Sequence, residues 1–201
     1  IILRVIDLEI LIAVLIVARI ITKYVTFSAD WKSVINEYLD AIIIAGLTAL
    51  FLISYIVRTF YIPSSSMKPT LLPYDYILVN EFIYRFTEPQ RKDIIVFKPP
   101  NRKNAPDYIK RVIGLENEVL EVRDGKVFIN GNPIEEPYIP ADQKPDYQWG
   151  PQKIPEGNLF VMGDNRNNSE DSHAWGFLPK KNIVGKAFVK FWPPGRMGLL
   201  K

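Results

Sequence analysis

The protein has 201 residues, of which nearly half are hydrophobic and about a quarter are charged, and its formal net charge is +3. This length allows one ordinary domain with an apolar N-terminal segment and excludes two large soluble domains. The small charge argues against nucleic acid as a partner and favours a membrane. The absence of cysteine excludes disulfides and thiolate chemistry, and the single histidine, His173, excludes histidine clusters. We expect no metal and no other cofactor.

An apolar segment follows Asp40. Residues 41–57 are all uncharged, and at about 1.5 Å per residue a helix over them reaches roughly 25 Å, close to the hydrocarbon thickness of a bilayer. A buried helix of a soluble fold is the alternative, but such a helix usually shows a polar stripe that this segment lacks. We predict a transmembrane anchor over residues 41–62.

The first 21 residues are less uniform. Charged residues interrupt their apolar run and leave residues 10–18 uncharged, which is too short to span a bilayer alone. Residues 1–21 therefore form a second transmembrane helix, an amphipathic helix on the bilayer surface, or the remainder of a longer hydrophobic segment. Residues 22–40 are predicted to be a connecting loop.

After Pro63 the pattern changes to short runs typical of β-strands. The predicted strands cover residues 76–79, 94–98, 108–113, 119–122, 126–130, 159–162 and 187–191. Asp124-Gly125 indicates a hairpin between the fourth and fifth of them. Repeated prolines predict that residues 132–157 form an extended surface excursion. Strands this close together leave no room for βαβ crossovers, so residues 63–201 are predicted to form one mostly β domain.

A catalytic nucleophile needs a base within reach. His173 lies in a polar loop, where a solvated or helix-capping histidine is the ordinary interpretation, so a Ser-His-Asp triad is not favoured. In a Ser-Lys pair the lysine must be neutral, and burial on an apolar strand is what lowers a lysine pKa. Lys110 meets this condition, since strand alternation places it on the face of Tyr108 and Val112, although most strand lysines are solvated edge charges.

Three separated segments resemble, in the same order, the motifs of the type I signal peptidases. Residues 63–71, Pro-Ser-Ser-Ser-Met-Lys-Pro-Thr-Leu, are similar to the family's nucleophile segment, in which the catalytic serine directly precedes the methionine. Residues 108–114 resemble the lysine segment, and residues 163–172, Gly-Asp-Asn-Arg-Asn-Asn-Ser-Glu-Asp-Ser, resemble the third motif. The resemblance covers the chain beyond the anchor and leaves residues 1–40 unmatched.

The resemblance implies a signal-peptidase-like β-rich catalytic domain and a membrane-bound serine endopeptidase. Such an enzyme removes N-terminal signal peptides from exported preproteins and cuts after small residues, as in Ala-x-Ala. Ser66 is implied as the nucleophile and Lys110 as its general base. The Ser64 hydroxyl and the Ser66 N–H would form a two-donor oxyanion hole, and Ser169 would hydrogen-bond the Lys110 amine.

The resemblance also implies supporting and substrate-binding residues. Asp171 would brace the site by pairing with Arg166 or Arg111. The positions that match the family's substrate pocket are Phe60, Ile62, Met67, Tyr108 and Ile109, for which plain core packing is the alternative. Departures from the family pattern at Glu116, Asn167 and His173 make the local charge network around Asp171 less transferable.

The implied partners are the signal peptides of secreted preproteins, the lipid bilayer and the protein export channel. The implied location is a bacterial cytoplasmic or thylakoid-type membrane, with the catalytic domain on the outer face. Trp192 would either touch the membrane interface or lie in the core. Two alternatives stay open: a self-cleaving repressor, which would be soluble and bind DNA, and an inactive envelope domain that binds extended peptides by strand addition.

Overall fold

The computed structural model describes residues 5–25, 29–55, 57–100, 102 and 105–200. The chain divides into two compact units, Ile1–Arg58 and Thr59–Lys201. The boundary falls close to the predicted end of the anchor. The first unit is helical and the second is mostly β, which confirms the predicted fold class.

The helical unit consists of α1, Val5–Ile21, and α2, Ala29–Tyr55. The two helices approach closely at Gly46, where an added Cβ would lie 3.1 Å from the Ile12 side chain. Arg19 of α1 donates two hydrogen bonds to the Asp40 carboxylate of α2. The predicted loop over residues 22–40 is wrong from Ala29 onward, because α2 begins there. Asp40 lies within α2 and is paired with a cation on α1, so its charge does not mark the start of the helix.

One helical stretch in the described part of the chain, Trp31–Phe51, is long and apolar enough to cross a membrane. It begins earlier than the predicted anchor, and residues Val57–Tyr61 form a strand, so the anchor prediction is wrong at its C-terminal end. The apolar stretch in α1, Ile10–Ile21, is shorter. Ile42 and Ile44 of α2 expose half or more of their surface.

The second unit is built from short strands and one short helix. The strands are β1 Val57–Tyr61, β2 Tyr76–Asn80, β3 Ile94–Phe97, β4 Tyr108–Gly114, β5 Val119–Arg123, β6 Lys126–Ile129, β7 Asn132–Pro133, β8 Trp149–Lys153, β9 Asn158–Met162, β10 Leu178–Pro179, β11 Ile183–Trp192 and β12 Gly198–Leu199. The helix is α3, Ser172–Trp175. All seven predicted strands are confirmed, with β11 longer than predicted.

The described strands form two sheets, the larger in the order β1-β2-β11-β3-β4-β9-β10 with β12 paired to β11, and the smaller in the order β7-β6-β5-β8. Alternate residues of β3 enter different hydrophobic clusters: Ile94 and Val96 lie in one, Ile95 and Phe97 in another. The larger sheet is thus buried on both faces at its centre, and β4 lies beside β3 in that buried region.

The predicted hairpin between β5 and β6 is confirmed by their antiparallel pairing. Both residues of its turn, Asp124 and Gly125, have positive φ, which is the backbone of the two-residue turn that this sequence favours.

Residues 132–157 are only partly the surface excursion that their prolines predict. They contribute β7 and β8 to the smaller sheet, and Ile154 is fully buried. The prolines are compatible with this pairing because β7 and β8 are edge strands, where a missing N–H can face away from the neighbouring strand. The prediction of a purely extended surface segment is therefore wrong.

Candidate active site

Lys110 and Ser66 meet at the centre of the site. Lys110 lies on β4, and its Nζ donates a hydrogen bond of 2.8 Å to Ser66 Oγ. Lys110 is 4% exposed and Ser66 is 8% exposed, so water has little access to the pair. The Tyr108 ring, on the same strand face as Lys110, lies with its centroid 5.5 Å from Nζ. The structure thus brings together the two residues that the sequence selects as nucleophile and base.

Burial lowers the pKa of Lys110 to about 8, because the charged ammonium loses its hydration. The negative charges of Asp171, Glu170 and Asp164 act in the opposite direction. At this pKa roughly one molecule in ten carries a neutral amine at pH 7, compared with about one in two thousand for a free lysine. The site can therefore supply a proton acceptor near neutral pH.

The third motif holds the backbone of the serine segment. The Asn165 N–H donates to the Ser66 carbonyl oxygen at 3.0 Å, and the Asn165 side-chain amide donates to the Ser65 carbonyl at 3.1 Å. Asn168 adds a hydrogen bond of 3.3 Å to the Ser65 hydroxyl. These bonds fix the position of the Ser66 backbone, and with it the side chain that faces Lys110.

Gly163 is required by this close packing. A Cβ at position 163 would lie 2.4 Å from the Ser66 carbonyl oxygen and 2.2 Å from Ser169 Oγ, both well inside van der Waals contact. The glycine lets the third motif approach the serine segment and places Ser169 beside it.

A buried ion pair joins all three motifs. Arg111, the residue after Lys110, donates to both oxygens of Asp164 at 2.9 and 2.7 Å. Both side chains are fully buried. Thr70 donates its hydroxyl proton to the same carboxylate at 2.5 Å. The arginine, the carboxylate and the threonine thus connect the lysine, third and serine segments.

Asp171 has partners other than the expected arginines. One of its oxygens accepts the Gly163 N–H at 2.8 Å, and the other lies 2.8 Å from His173 Nδ1. Arg111 is paired with Asp164, and Arg166 donates to both oxygens of Glu136 at 2.7 and 2.5 Å. The predicted pairing of Asp171 with Arg166 or Arg111 is wrong, because the two guanidinium groups form their ion pairs with the carboxylates of Glu136 and Asp164.

Two serine hydroxyls surround the pair. Ser64 Oγ lies 3.3 Å from Ser66 Oγ, which places it next to the atom that would attack a substrate. Ser169 Oγ is buried and has no hydrogen-bond partner within the described part of the chain. The expected bond between Ser169 and the Lys110 amine is therefore not formed in this structure, in which the amine donates to Ser66.

An open cleft of about 460 Å³ lies beside Ser66 and Lys110. Its apolar lining comes from Pro63, Pro106, Tyr108 and Ile109. Two of the five predicted pocket residues, Tyr108 and Ile109, therefore line it. Ile62 and Met67 are buried in a hydrophobic cluster of the larger sheet, to which Ile109 also belongs, and Phe60 is partly buried and packs against it. For Ile62 and Met67, core packing is what the structure shows.

Residues that the sequence analysis did not select complete the surroundings. Glu136 and Tyr138 come from the segment between β7 and β8, and the Tyr138 ring lies 4.0 Å from the Arg111 guanidinium carbon. Tyr147, from the same segment, stacks on the His173 ring with centroids 4.4 Å apart. Acidic and aromatic residues occur among the prolines of residues 132–157. This composition is the sequence feature that could have indicated contacts with the rest of the domain, because a solvated surface segment does not require aromatic side chains.

Comparisons with known proteins show the family of the chain. The profile of the family described as signal peptidase, peptidase S26, matches residues 35–192. The chain belongs to this family. The match begins inside α2, earlier than the resemblance recognised in the sequence motifs, and it confirms the predicted class of serine endopeptidase.

Individual relatives come from bacteria and from plants. The chain is 46% identical over 174 residues to a signal peptidase I of Leptolyngbya laminosa, covering 84% of this chain and 85% of the relative. It is 38% identical over 174 residues to thylakoidal processing peptidase 1 of Arabidopsis thaliana, covering 82% of this chain and 51% of that protein. A crystal structure of a signal peptidase I from Enterococcus faecalis aligns at 34% identity and a TM-score of 0.44, covering 50% of this chain and 97% of the other.

Proposed function

We propose that this protein is a membrane-bound signal peptidase that cleaves exported preproteins with a Ser66–Lys110 dyad. The observation that carries the proposal is the 2.8 Å hydrogen bond between Lys110 Nζ and Ser66 Oγ. It occurs where burial lowers the pKa of Lys110 to about 8. When its ammonium has lost a proton, the Lys110 amine lies at the right distance to accept the proton of the Ser66 hydroxyl.

In the proposed first step, neutral Lys110 accepts the Ser66 hydroxyl proton as Ser66 Oγ attacks the scissile carbonyl carbon. The resulting oxyanion accepts hydrogen bonds from the Ser66 N–H and from the Ser64 hydroxyl, which lies beside the nucleophile. The Lys110 ammonium then donates its proton to the leaving amine as the C–N bond breaks. In the second step Lys110 deprotonates a water molecule, which attacks the acyl carbon. As the bond from that carbon to Ser66 Oγ breaks, the Lys110 ammonium returns its proton to Ser66 Oγ.

The cleft beside Ser66 supports a preference for small side chains next to the scissile bond. It is apolar where Tyr108 and Ile109 line it, and we expect these two side chains to leave room for a small residue and to clash with a bulky one. We expect a preprotein with Ala just before the cut to be processed much faster than its Leu counterpart. Equal rates for the two substrates in the same assay would contradict this assignment.

The helical unit supports membrane attachment. The stretch Trp31–Phe51 is long enough to cross a bilayer. In the second unit Trp192 is half exposed, which excludes a core position and leaves it available to a membrane interface. We propose that the catalytic unit lies on the outer face of the membrane, where signal peptides emerge from the export channel. Digestion by protease added to sealed inside-out vesicles would contradict this orientation.

The decisive experiment is covalent labelling of Ser66. A serine-directed acylating inhibitor is added to the full chain in detergent, and the modified residue is located by mass spectrometry of peptides. We expect a single acyl group on Ser66, no label in Ser66→Ala, and unchanged labelling in Ser33→Ala, which removes an exposed hydroxyl of α2 as a matched control. Labelling of another serine, or preprotein cleavage by Ser66→Ala, would reject the dyad, whereas a peptide-binding domain without activity would take no label.

A further inference from the structure

His173 is attached to the site through a buried carboxylate. Asp171 is fully buried and stands at the N-terminus of α3, where it accepts the His173 backbone N–H at 3.2 Å. The same oxygen lies 2.8 Å from His173 Nδ1. Since an ionised carboxylate only accepts hydrogen bonds, Nδ1 carries the proton in this contact. One histidine therefore supplies two donors to one oxygen of Asp171.

The other oxygen of Asp171 leads to the nucleophile. It accepts the Gly163 N–H at 2.8 Å, and Gly163 is packed so closely against the Ser66 carbonyl that no side chain fits between them. One backbone amide thus links Asp171 to the backbone of Ser66. The path uses short contacts between buried groups, which leave little room for independent movement.

The negative charge of Asp171 also acts on Lys110. Its charge, with those of Glu170 and Asp164, favours the protonated amine and opposes the effect of burial. In its neutral form the His173 ring offers Asp171 a hydrogen bond but no charge. The aromatic ring of Tyr147 stacks on His173, with the two ring centroids 4.4 Å apart. Burial raises the pKa of Tyr147, so its phenol stays protonated and adds no charge.

We propose that His173 is a positioning residue that sets the orientation and effective charge of Asp171, and thereby the pH at which Lys110 becomes a base. The proposal rests on the proposed Ser66–Lys110 dyad. His173 is one quarter exposed in its side chain and lies outside the cleft beside Ser66. It therefore acts through Asp171 and not on the substrate.

Three substitutions separate the hydrogen bond from the charge. His173→Asn keeps a neutral donor close to the position of Nδ1, so the pH midpoint of kcat/KM should stay where it is in the natural protein. His173→Arg adds a permanent positive charge beside Asp171 and should move the midpoint about half a pH unit lower, with roughly threefold faster cleavage on the acid limb. His173→Phe removes the donor and should move the midpoint higher by a similar amount.

The measurements are the pH profiles of preprotein cleavage and of Ser66 acylation by the inhibitor, for the full chain in detergent. Gln152→Arg adds the same charge to an exposed residue of β8 and should leave the midpoint unchanged. Thermal unfolding checks that each variant is folded. A common midpoint for all three His173 variants, or an equal shift in Gln152→Arg, would overturn the proposal while Ser66 labelling continued to support the dyad. Failure of Ser66 to acylate at any pH would instead reject the dyad itself.

Discussion

Two neighbouring residues of β4 are buried cations with opposite surroundings. Arg111 is fully buried and donates to both oxygens of Asp164. Lys110 is almost as buried, but the hydrogen bond of its amine goes to the neutral hydroxyl of Ser66. Nearby carboxylates act on Lys110 through space, and burial still outweighs them, so its pKa falls to about 8.

The difference shows how one buried strand can hold a structural charge beside a reactive amine. A guanidinium stays protonated at any working pH and matches a carboxylate with two parallel hydrogen bonds. An ammonium buried without a carboxylate in contact gives up its proton more readily, because the charged form lacks compensation. Charge pairing therefore compensates the buried charge of Arg111, while Lys110, which has no such pairing with a carboxylate in contact, has a lowered pKa.

The largest expected effect comes from giving Lys110 the chemistry of its neighbour. Lys110→Arg should reduce preprotein cleavage by about 10⁴-fold or more, because arginine keeps the charge but cannot release its proton near neutral pH. Lys110→Ala and Lys110→His should be similarly inactive. Cleavage by purified full-length variants is measured under saturating substrate.

Lys153→Arg, on an exposed residue of β8, is the matched control for this prediction and should retain full activity. A folded Lys110→Arg protein that cleaves at a rate comparable to the natural protein would show that Lys110 serves only as a structural cation. The contrast between the two cations of β4 would then be wrong.

The second effect is on stability and concerns Arg111. Asp164→Asn leaves the guanidinium buried without its counter-charge and should lower the free energy of unfolding by about 3–5 kcal/mol. The double variant Arg111→Met with Asp164→Leu removes both charges and should lose much less. Thermal unfolding in detergent compares them with Asp124→Asn, which changes an exposed turn residue. Equal losses in the single and double variants would mean that packing, and not charge pairing, is what Asp164 supplies.

How much of this site the sequence reveals depends on the range of the contacts. Lys110 was predictable because strand alternation and a local motif both mark it, and Ser66 because its segment is contiguous. Arg166 pairs with Glu136, which lies 30 positions away in the sequence. Residue type alone cannot identify this partner, because several other Asp and Glu residues could form the same ion pair. The same ambiguity led to the wrong partners for Asp171. The charge of Asp40 predicts that the apolar helix starts after it, whereas α2 begins at Ala29. The sequence does not reveal that Asp40 is paired, because its partner Arg19 lies on another helix.

The smallest expected effect is the dependence of stability on pH that Lys110 imposes. Its pKa in the folded protein is about 8, below the ordinary value of 10.5 that it regains on unfolding. Between these two values the unfolded chain binds more protons than the folded one, so stability rises with pH across this window. Below about pH 8 the folded state bears the full cost of a buried ammonium, on the order of 3 kcal/mol. Lys110→Met keeps the length of the side chain and removes the titrating group, so its stability should no longer rise over this range. Thermal unfolding between pH 7 and pH 10.5 measures how steeply stability rises with pH. Lys126→Met, at the exposed first residue of β6, is the control and should show the same rise as the natural protein. If the natural protein and Lys110→Met showed the same slope, the amine would titrate as a free lysine does, and the unpaired burial that distinguishes Lys110 from Arg111 would have no energetic consequence.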